Sequence, residues 1–257
     1  MTTLKDQVCA LALSYKVFSK TGFLEKVPFS QCEKLLRSTE FEETLKIGLR
    51  LARKYQYDLE NKNLYHYFRT HYLPKPSDFF ENICNANSIE PRELAIALRV
   101  WLEKADKKKN TLKLVGIPNS GKTLIANLLR KVFICANWLN SSAGSAFNFG
   151  NLTYASLIIV EEPFLPPPLL EDFKSICGGA SVSVDVKYSN YEALNRTPVL
   201  ITSNFSEVSR GYAAAVSEQA INLRSYQFTF TAGLQPTFEV TPEHLLDFIQ
   251  RNAVDSN

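Results

Sequence analysis

The sequence predicts an α/β fold, a parallel central sheet flanked by helices, with a small helical bundle ahead of it. Three observations point there. Before Gly116 the chain has only two glycines, Gly22 and Gly48, and its apolar residues recur at helical spacing. After Asn110, short apolar runs alternate with helical patterns, as a parallel sheet with crossover helices requires. Between the first such strand and the first such helix lies GIPNSGKT, residues 116–123. The composition therefore divides the chain into a helical region over 1–100 and an α/β domain over 101–257.

The elements follow in order. Ser30 with Glu33, and Thr39 with Glu42, have capping-box spacing, so helices are expected to start there. Leu45, Leu49 and Ala52 share one face of the second of these helices. LPKPSD, residues 73–78, interrupts the pattern. A helix follows Ser88 with Pro91 in its first turn, where an N–H has no helical partner to lose. Leu94, Leu98, Trp101 and Leu102 form its buried face. Residues 111–115 read as a strand ending at Gly116. Residues 122–138 read as one helix carried by Leu124, Leu128, Leu129, Val132 and Phe133. The unbroken apolar run 157–160 is a strand buried on both faces. A Pro-rich loop over 163–168 leads to a helix over 169–176. Residues 181–188 alternate as one arm of a hairpin. Strands are expected at 198–202 and 226–230, and a last helix at 242–251.

Composition narrows the class. The 257 residues are 45% hydrophobic, enough for a sizeable core. No apolar run reaches the ~18 residues of a membrane helix, and the first twenty residues lack the pattern of a secretory signal. An intracellular protein without a membrane partner is expected. Cys9, Cys32, Cys84, Cys135 and Cys177 are scattered and form no CxxC pair, which argues against a zinc knuckle or a disulfide framework. The net charge of +3 permits nucleic-acid binding without requiring it. Lys107, Lys108 and Lys109 read as a solvated turn. His66 and His71 stand among aromatics and read as packing or surface groups.

Three motifs carry chemistry. GIPNSGKT fits the P-loop pattern in full. Gly116, Ile117, Pro118, Asn119, Ser120 and Gly121 wrap phosphate, and the helix starting at Lys122, Thr123 and Leu124 presents its positive end to the same anion. Lys122 is expected on the β- and γ-phosphates of ATP, and Thr123 on Mg²⁺. LIIVEEP, residues 157–163, brings two carboxylates off the end of a buried strand, where open α/β sheets gather their ligands. Glu161 is assigned mainly to the metal and Glu162 to the attacking water. PVLITSN, residues 198–204, ends another buried strand in Asn204, placed to sense the γ-phosphate. Taken alone, Asn204 better suits a turn or helix cap, and the acid pair a solvated turn; both gain their reading from standing behind a P-loop.

The series GIPNSGKT, LIIVEEP, KSICGGASVSVDVKY and RTPVLITSN resembles a superfamily 3 helicase, most closely the helicase domain of parvovirus and densovirus initiator (large non-structural) proteins. The likeness runs from about Glu93 to Phe230. It implies an AAA+ ATPase that assembles into a ring, expected to be a hexamer, and moves on single-stranded DNA in the host nucleus. It makes Lys122 and Thr123 the Walker A pair, Glu161 and Glu162 the Walker B pair and Asn204 the sensor. Arg224, in INLRSYQF, falls where the family has its arginine finger, and Lys187 matches a family lysine that contacts DNA. The leading helical region resembles the bundle by which these helicases assemble.

Two departures accompany the resemblance. Ser181 and Ser183 stand where relatives can carry Lys or Arg. The only histidines, His66, His71 and His244, form no His-hydrophobe-His motif, so the chain is expected neither to nick nor to join DNA: it is either a helicase-only product or an isolated helicase portion, with a separate nicking nuclease or a capsid as candidate partners. Packaging of DNA into a capsid, remodelling of a complex, and a non-enzymatic nucleotide-binding assembly protein are the competing functions.

Overall fold

Thr3 opens the first helix by a reciprocal cap: its hydroxyl accepts from the Asp6 N–H, and the Asp6 carboxylate accepts from the Thr3 N–H. In the computed structural model, which describes residues 3–138, 149–185, 192–208 and 214–254, this helix α1 (Leu4–Ser14) packs on a long α4 (Phe41–Asn61). α2 (Lys20–Lys26) and α3 (Phe29–Leu36) complete a bundle around Val8, Phe23, Leu35, Leu45 and Ala52. The expected capping boxes at Ser30 and Thr39 do not form. Pro28 precedes α3 and leaves Ser30 inside the helix, while α4 begins behind Glu40 without a side-chain cap.

The chain divides into two compact units, Met1–Lys62 and Asn63–Asn257. The boundary read from composition at residue 100 lies inside the second unit, for a physical reason. α5 (Leu64–His71), α6 (Phe79–Ala86) and α7 (Pro91–Leu102) share one hydrophobic core with the sheet: Phe68, Phe80, Leu98 and Trp101 pack with Leu112, Leu114, Ile159 and Leu200. Glycine scarcity marks helical sequence, and these helices belong to the α/β unit.

β1 (Thr111–Gly116) is flanked by the P-loop helix α8 (Lys122–Val132), which is followed by β2 (Cys135–Trp138) and β3 (Leu157–Glu161). The helix expected to reach residue 138 thus ends at Val132, and the last four residues form an edge strand beside β3. α9 (Leu170–Cys177) leads to the hairpin of β4 (Val182–Val184) and β5 (Glu192–Leu194). β6 (Val199–Ser203), α10 (Ala214–Leu223), β7 (Ser225–Phe230) and α11 (Pro242–Asn252) complete the unit. The sheet order is β2-β3-β6-β1-β7, and every pairing in it is parallel.

Side-chain alternation makes this a three-layer sandwich. Leu157, Ile159 and Leu200 face α7, α8 and α11, whereas Ile158, Val160, Val199 and Ile201 face α9 and α10. Polar groups at the lower end of the sheet are satisfied locally. Trp101 donates its indole N–H to the Asn110 carbonyl (3.0 Å), and the Asn110 amide donates to Ile176 O and Thr197 O (3.1 and 2.7 Å). Asn110 thereby ties the starts of β1 and β6 to the end of α9. All five cysteines are free, and no helix among the described residues is long and apolar enough to cross a membrane.

Candidate nucleotide-binding site

β1 delivers the chain to Gly116, whose φ of 134° suits glycine. A Cβ there would lie 1.9 Å from the Phe230 carbonyl oxygen, so no other residue fits against the end of β7. Asn119 (φ 59°) and Gly121 (φ 96°) then turn the loop, the kind of backbone path that gathers N–H groups into an anion-binding concavity. Gly121 caps α8 without any side-chain hydrogen bond. The first-turn N–H groups and the positive end of the helix dipole are thus available to a ligand rather than to a capping side chain.

Lys122 is only 5% exposed. Its ammonium lies 2.8 Å from Gly116 O, 2.6 Å from Ile117 O, 3.1 Å from Ser120 Oγ and 3.3 Å from Asn204 Oδ1. Burial lowers its pKa from the ordinary lysine value, against the opposing pull of the Glu162 carboxylate. Neutral carbonyls at the floor of a loop hold a cation weakly compared with phosphate oxygens.

β3 and β6 bring the acids and the amide to the opposite wall. Glu162 adopts φ 45°, a left-handed conformation that costs a non-glycine residue on the order of 1 kcal/mol. The turn aims its carboxylate across to β6, where it accepts from the Asn204 N–H (2.9 and 3.1 Å) and the Ser203 hydroxyl (3.1 Å). Its own N–H donates to Thr202 O at 2.8 Å. Glu162 and Asn204, assigned separately from the sequence, are therefore one hydrogen-bonded unit. Glu161 ends β3 in register with Thr202 and is ion-paired with Arg130 of α8. Pro118 to Leu124, Glu161, Glu162 and Asn204 line a single cleft of about 480 Å³, within the usual range for small-ligand sites. Thr123 and Leu124 are at the start of α8 on its wall.

A family model for the parvovirus non-structural protein NS1 matches residues 43–252. The chain belongs to this NS1 family. It is 30% identical to protein Rep52 of adeno-associated virus 2 over 175 residues, 65% of this chain and 43% of Rep52. It is 32% identical to the initiator protein NS1 of human parvovirus B19 over 149 residues, 56% of this chain and 22% of that protein. The chain thus spans less than half the length of these curated relatives. Its fold is shared with JCV helicase, at a TM-score of 0.54 and 14% identity over 90% of this chain and 78% of that one. The C-terminal region of NrS-1 superposes with a TM-score of 0.52 at 12% identity, over 74% of this chain and 48% of that one. The expected α/β core with a parallel central sheet is the fold observed.

Arg224 is not in this cleft. Its carbonyl accepts from the N–H groups of Asn110 and Thr111, at the start of β1, and Ser225 pairs with Thr111 while Phe230 pairs with Gly116. The P-loop therefore begins about 16 Å farther along the sheet, at ~3.3 Å per residue. The guanidinium donates to Ala220 O at 2.7 Å and lies beside Gly178 at the root of the hairpin. Lys187 falls outside the described residues. His71 stacks on Tyr67 (4.1 Å between ring centroids) and bonds the Tyr67 carbonyl, as a packing group does.

Two features of the site escaped sequence reasoning. Ser203, between strand and sensor, is hydrogen-bonded to Glu162, and only a Ser or Thr directly before the amide hinted at it. Leu234, Gln235 and Pro236 line the cleft from beyond β7, and nothing in their own sequence signals it.

Proposed function

We propose that the chain is the motor portion of a viral replication helicase, which hydrolyses ATP at subunit junctions of a ring and draws single-stranded DNA through it. The observation that carries this is the convergence of Lys122, Glu161, Glu162 and Asn204 on one cleft behind an uncapped helix N-terminus. Family membership supports the same reading.

The donors fit the ligand. Phosphate oxygens would displace the Gly116 and Ile117 carbonyls from Lys122, and the N–H groups of residues 119–124 would complete the cradle. Mg²⁺ would be held by Thr123 Oγ and by Glu161, directly or through water, with phosphate oxygens and water in its remaining positions. Among the described residues no group of three or more His, Cys, Asp or Glu side chains suits a metal, and a nucleotide-bound Mg²⁺ needs no such cage. When bound, it neutralises charge developing on the β- and γ-phosphates. Glu162 would orient and deprotonate the attacking water. Because it also holds the Asn204 N–H, loss of the γ-phosphate would be felt by acid and sensor together.

Arg224 would act in trans, reaching the ATP of a neighbouring subunit, since it stands at the far end of its own sheet. Self-association has support in the first unit. Leu51, Tyr55 and Leu59 are exposed at four-residue spacing on α4, an apolar stripe suited to a second copy. The helical N-terminal region would thus assemble the ring, a hexamer in this reading. The β4–β5 hairpin, with Lys187 beyond β4, would touch DNA. A nicking nuclease activity, the capsid and the host nucleus would complete the setting in which such a motor works.

Strand displacement from a partial duplex, with ATP and Mg²⁺ and for wild type and Lys122→Ala, tests the proposal. ATP-dependent displacement lost in the variant is the expected result. ATP turnover without displacement by the assembled ring would favour packaging or remodelling instead.

A further inference from the structure

We propose that residues 234–236 form the wall that receives the nucleotide's base, and that Asn87, in the turn between α6 and α7, positions that wall. The inference rests on the nucleotide-binding reading of the cleft.

The cleft has a direction. Glu161, Glu162 and Asn204 come from β3 and β6, on one side of β1, so the γ-phosphate belongs there. β7 lies on the other side of β1, and the chain leaving it supplies Leu234, Gln235 and Pro236 to the same cleft. A triphosphate held through Lys122 with its reacting end at the acids directs its nucleoside end towards this segment.

The chemistry of the wall suits a base. Leu234 is half-buried against the core that also carries Leu124, and Pro236 adds a second apolar surface. Aromatic faces stack well on such groups. Gln235 offers one donor and one acceptor side by side, the pattern that complements adenine's amino group and ring nitrogen and suits guanine's paired acceptors less well.

The segment is built to hold its position. The Ile117 N–H donates to Phe230 O at 2.9 Å, which seats the end of β7 on the P-loop. A Cβ on Gly233 would lie 2.9 Å from Asn119 O, so the segment rides directly on the loop backbone. Asn87 is 6% exposed, and its side-chain oxygen accepts from the N–H groups of Thr231 and Ala232 (2.6 and 2.7 Å) while its amide donates to Ile83 O (2.8 Å). One buried carboxamide thus fixes the start of the wall to the helix that ends beside it. Asn87 touches no ligand and is a positioning residue.

Calorimetric titration of the full chain with ATP, GTP and inorganic tripolyphosphate separates base from phosphate binding. Wild type should bind ATP more tightly than GTP or tripolyphosphate. Leu234→Ser should weaken ATP about tenfold, the effect of losing one small apolar contact, and leave tripolyphosphate within about twofold. Asn87→Ala should act in the same direction. Thermal unfolding of each variant checks that the fold persists. Equal weakening of ATP and tripolyphosphate, or no effect from Leu234→Ser, overturns the base wall. Wild type binding ATP no better than tripolyphosphate overturns it too, with the phosphate site left standing if Lys122→Ala abolishes both. Binding of neither ligand overturns the nucleotide site itself.

Discussion

Glu162 and Lys122 answer differently to substitution because they meet the ligand at different moments. Lys122 would bind phosphate in the ground state, so Lys122→Ala should remove nucleotide binding and turnover together. Glu162 would act on water only as the reaction proceeds. Glu162→Gln keeps one side-chain oxygen for the Asn204 N–H and the Ser203 hydroxyl, so the wall should stay in place. We expect ATP affinity to be retained within a few-fold and turnover to fall by about 10²–10⁴, the usual worth of a general base. Equilibrium binding beside steady-state hydrolysis checks this, and loss of binding would remove the water-activating role. At this scale the residues that the structure brings to the cleft from the three motifs, Lys122, Thr123, Glu161, Glu162 and Asn204, are legible in the sequence. The Glu162–Asn204 bond was not, because it joins the ends of two strands that only the sheet makes neighbours.

Among the elements, β1 shows how far a pattern reaches. Its alternation of Leu112, Lys113 and Leu114 marks a strand with one polar face. The structure buries that face. Lys113 is 1% exposed, donates to Ser206 O and Asn222 Oδ1 (2.6 and 2.9 Å) and is ion-paired with Glu218 of α10. The other Glu218 oxygen accepts from the Val208 N–H at 2.9 Å. The pair therefore clamps the loop that follows Asn204 onto the sheet. Removing one partner of such a pair leaves a buried charge, at a cost of about 3–5 kcal/mol. Lys113→Met should lower stability by that amount in urea unfolding, and a loss under 1 kcal/mol would show that the pair is not needed. Periodicity located β3, β6 and α7, whose apolar runs are long or strongly one-sided. It missed β2, since no Gly or Pro punctuates the passage from α8 into a four-residue edge strand. It missed α10 as well, where Ala, Ser and Gln blur any single face.

For the whole molecule, what the sequence lacked was an account of which helices go together. Low glycine content grouped residues 1–100, whereas the apolar faces of α5 to α7 complete the core of the sheet unit. The stripe of Leu51, Tyr55 and Leu59 makes a prediction at this scale. Tyr55→Arg with Leu59→Glu should reduce self-association in sedimentation while leaving the helical content unchanged, and unaltered assembly would exclude that face. Arg224 makes another. Arg224→Ala should bind nucleotide normally and lose turnover by about 10³-fold, the effect that the proposed trans-acting role requires. Mixed with Lys122→Ala subunits, it should regain part of that activity, because one partner supplies the P-loop and the other the arginine. Two inactive proteins that stay inactive together would place Arg224 outside the site.

The most direct test of a composite ATP site driving movement on DNA is ATP hydrolysis measured across protein concentration, with and without single-stranded DNA, for wild type and Lys122→Ala. Turnover should rise cooperatively with concentration, increase with DNA and vanish in the variant. Turnover per subunit that is independent of concentration and indifferent to DNA would contradict it.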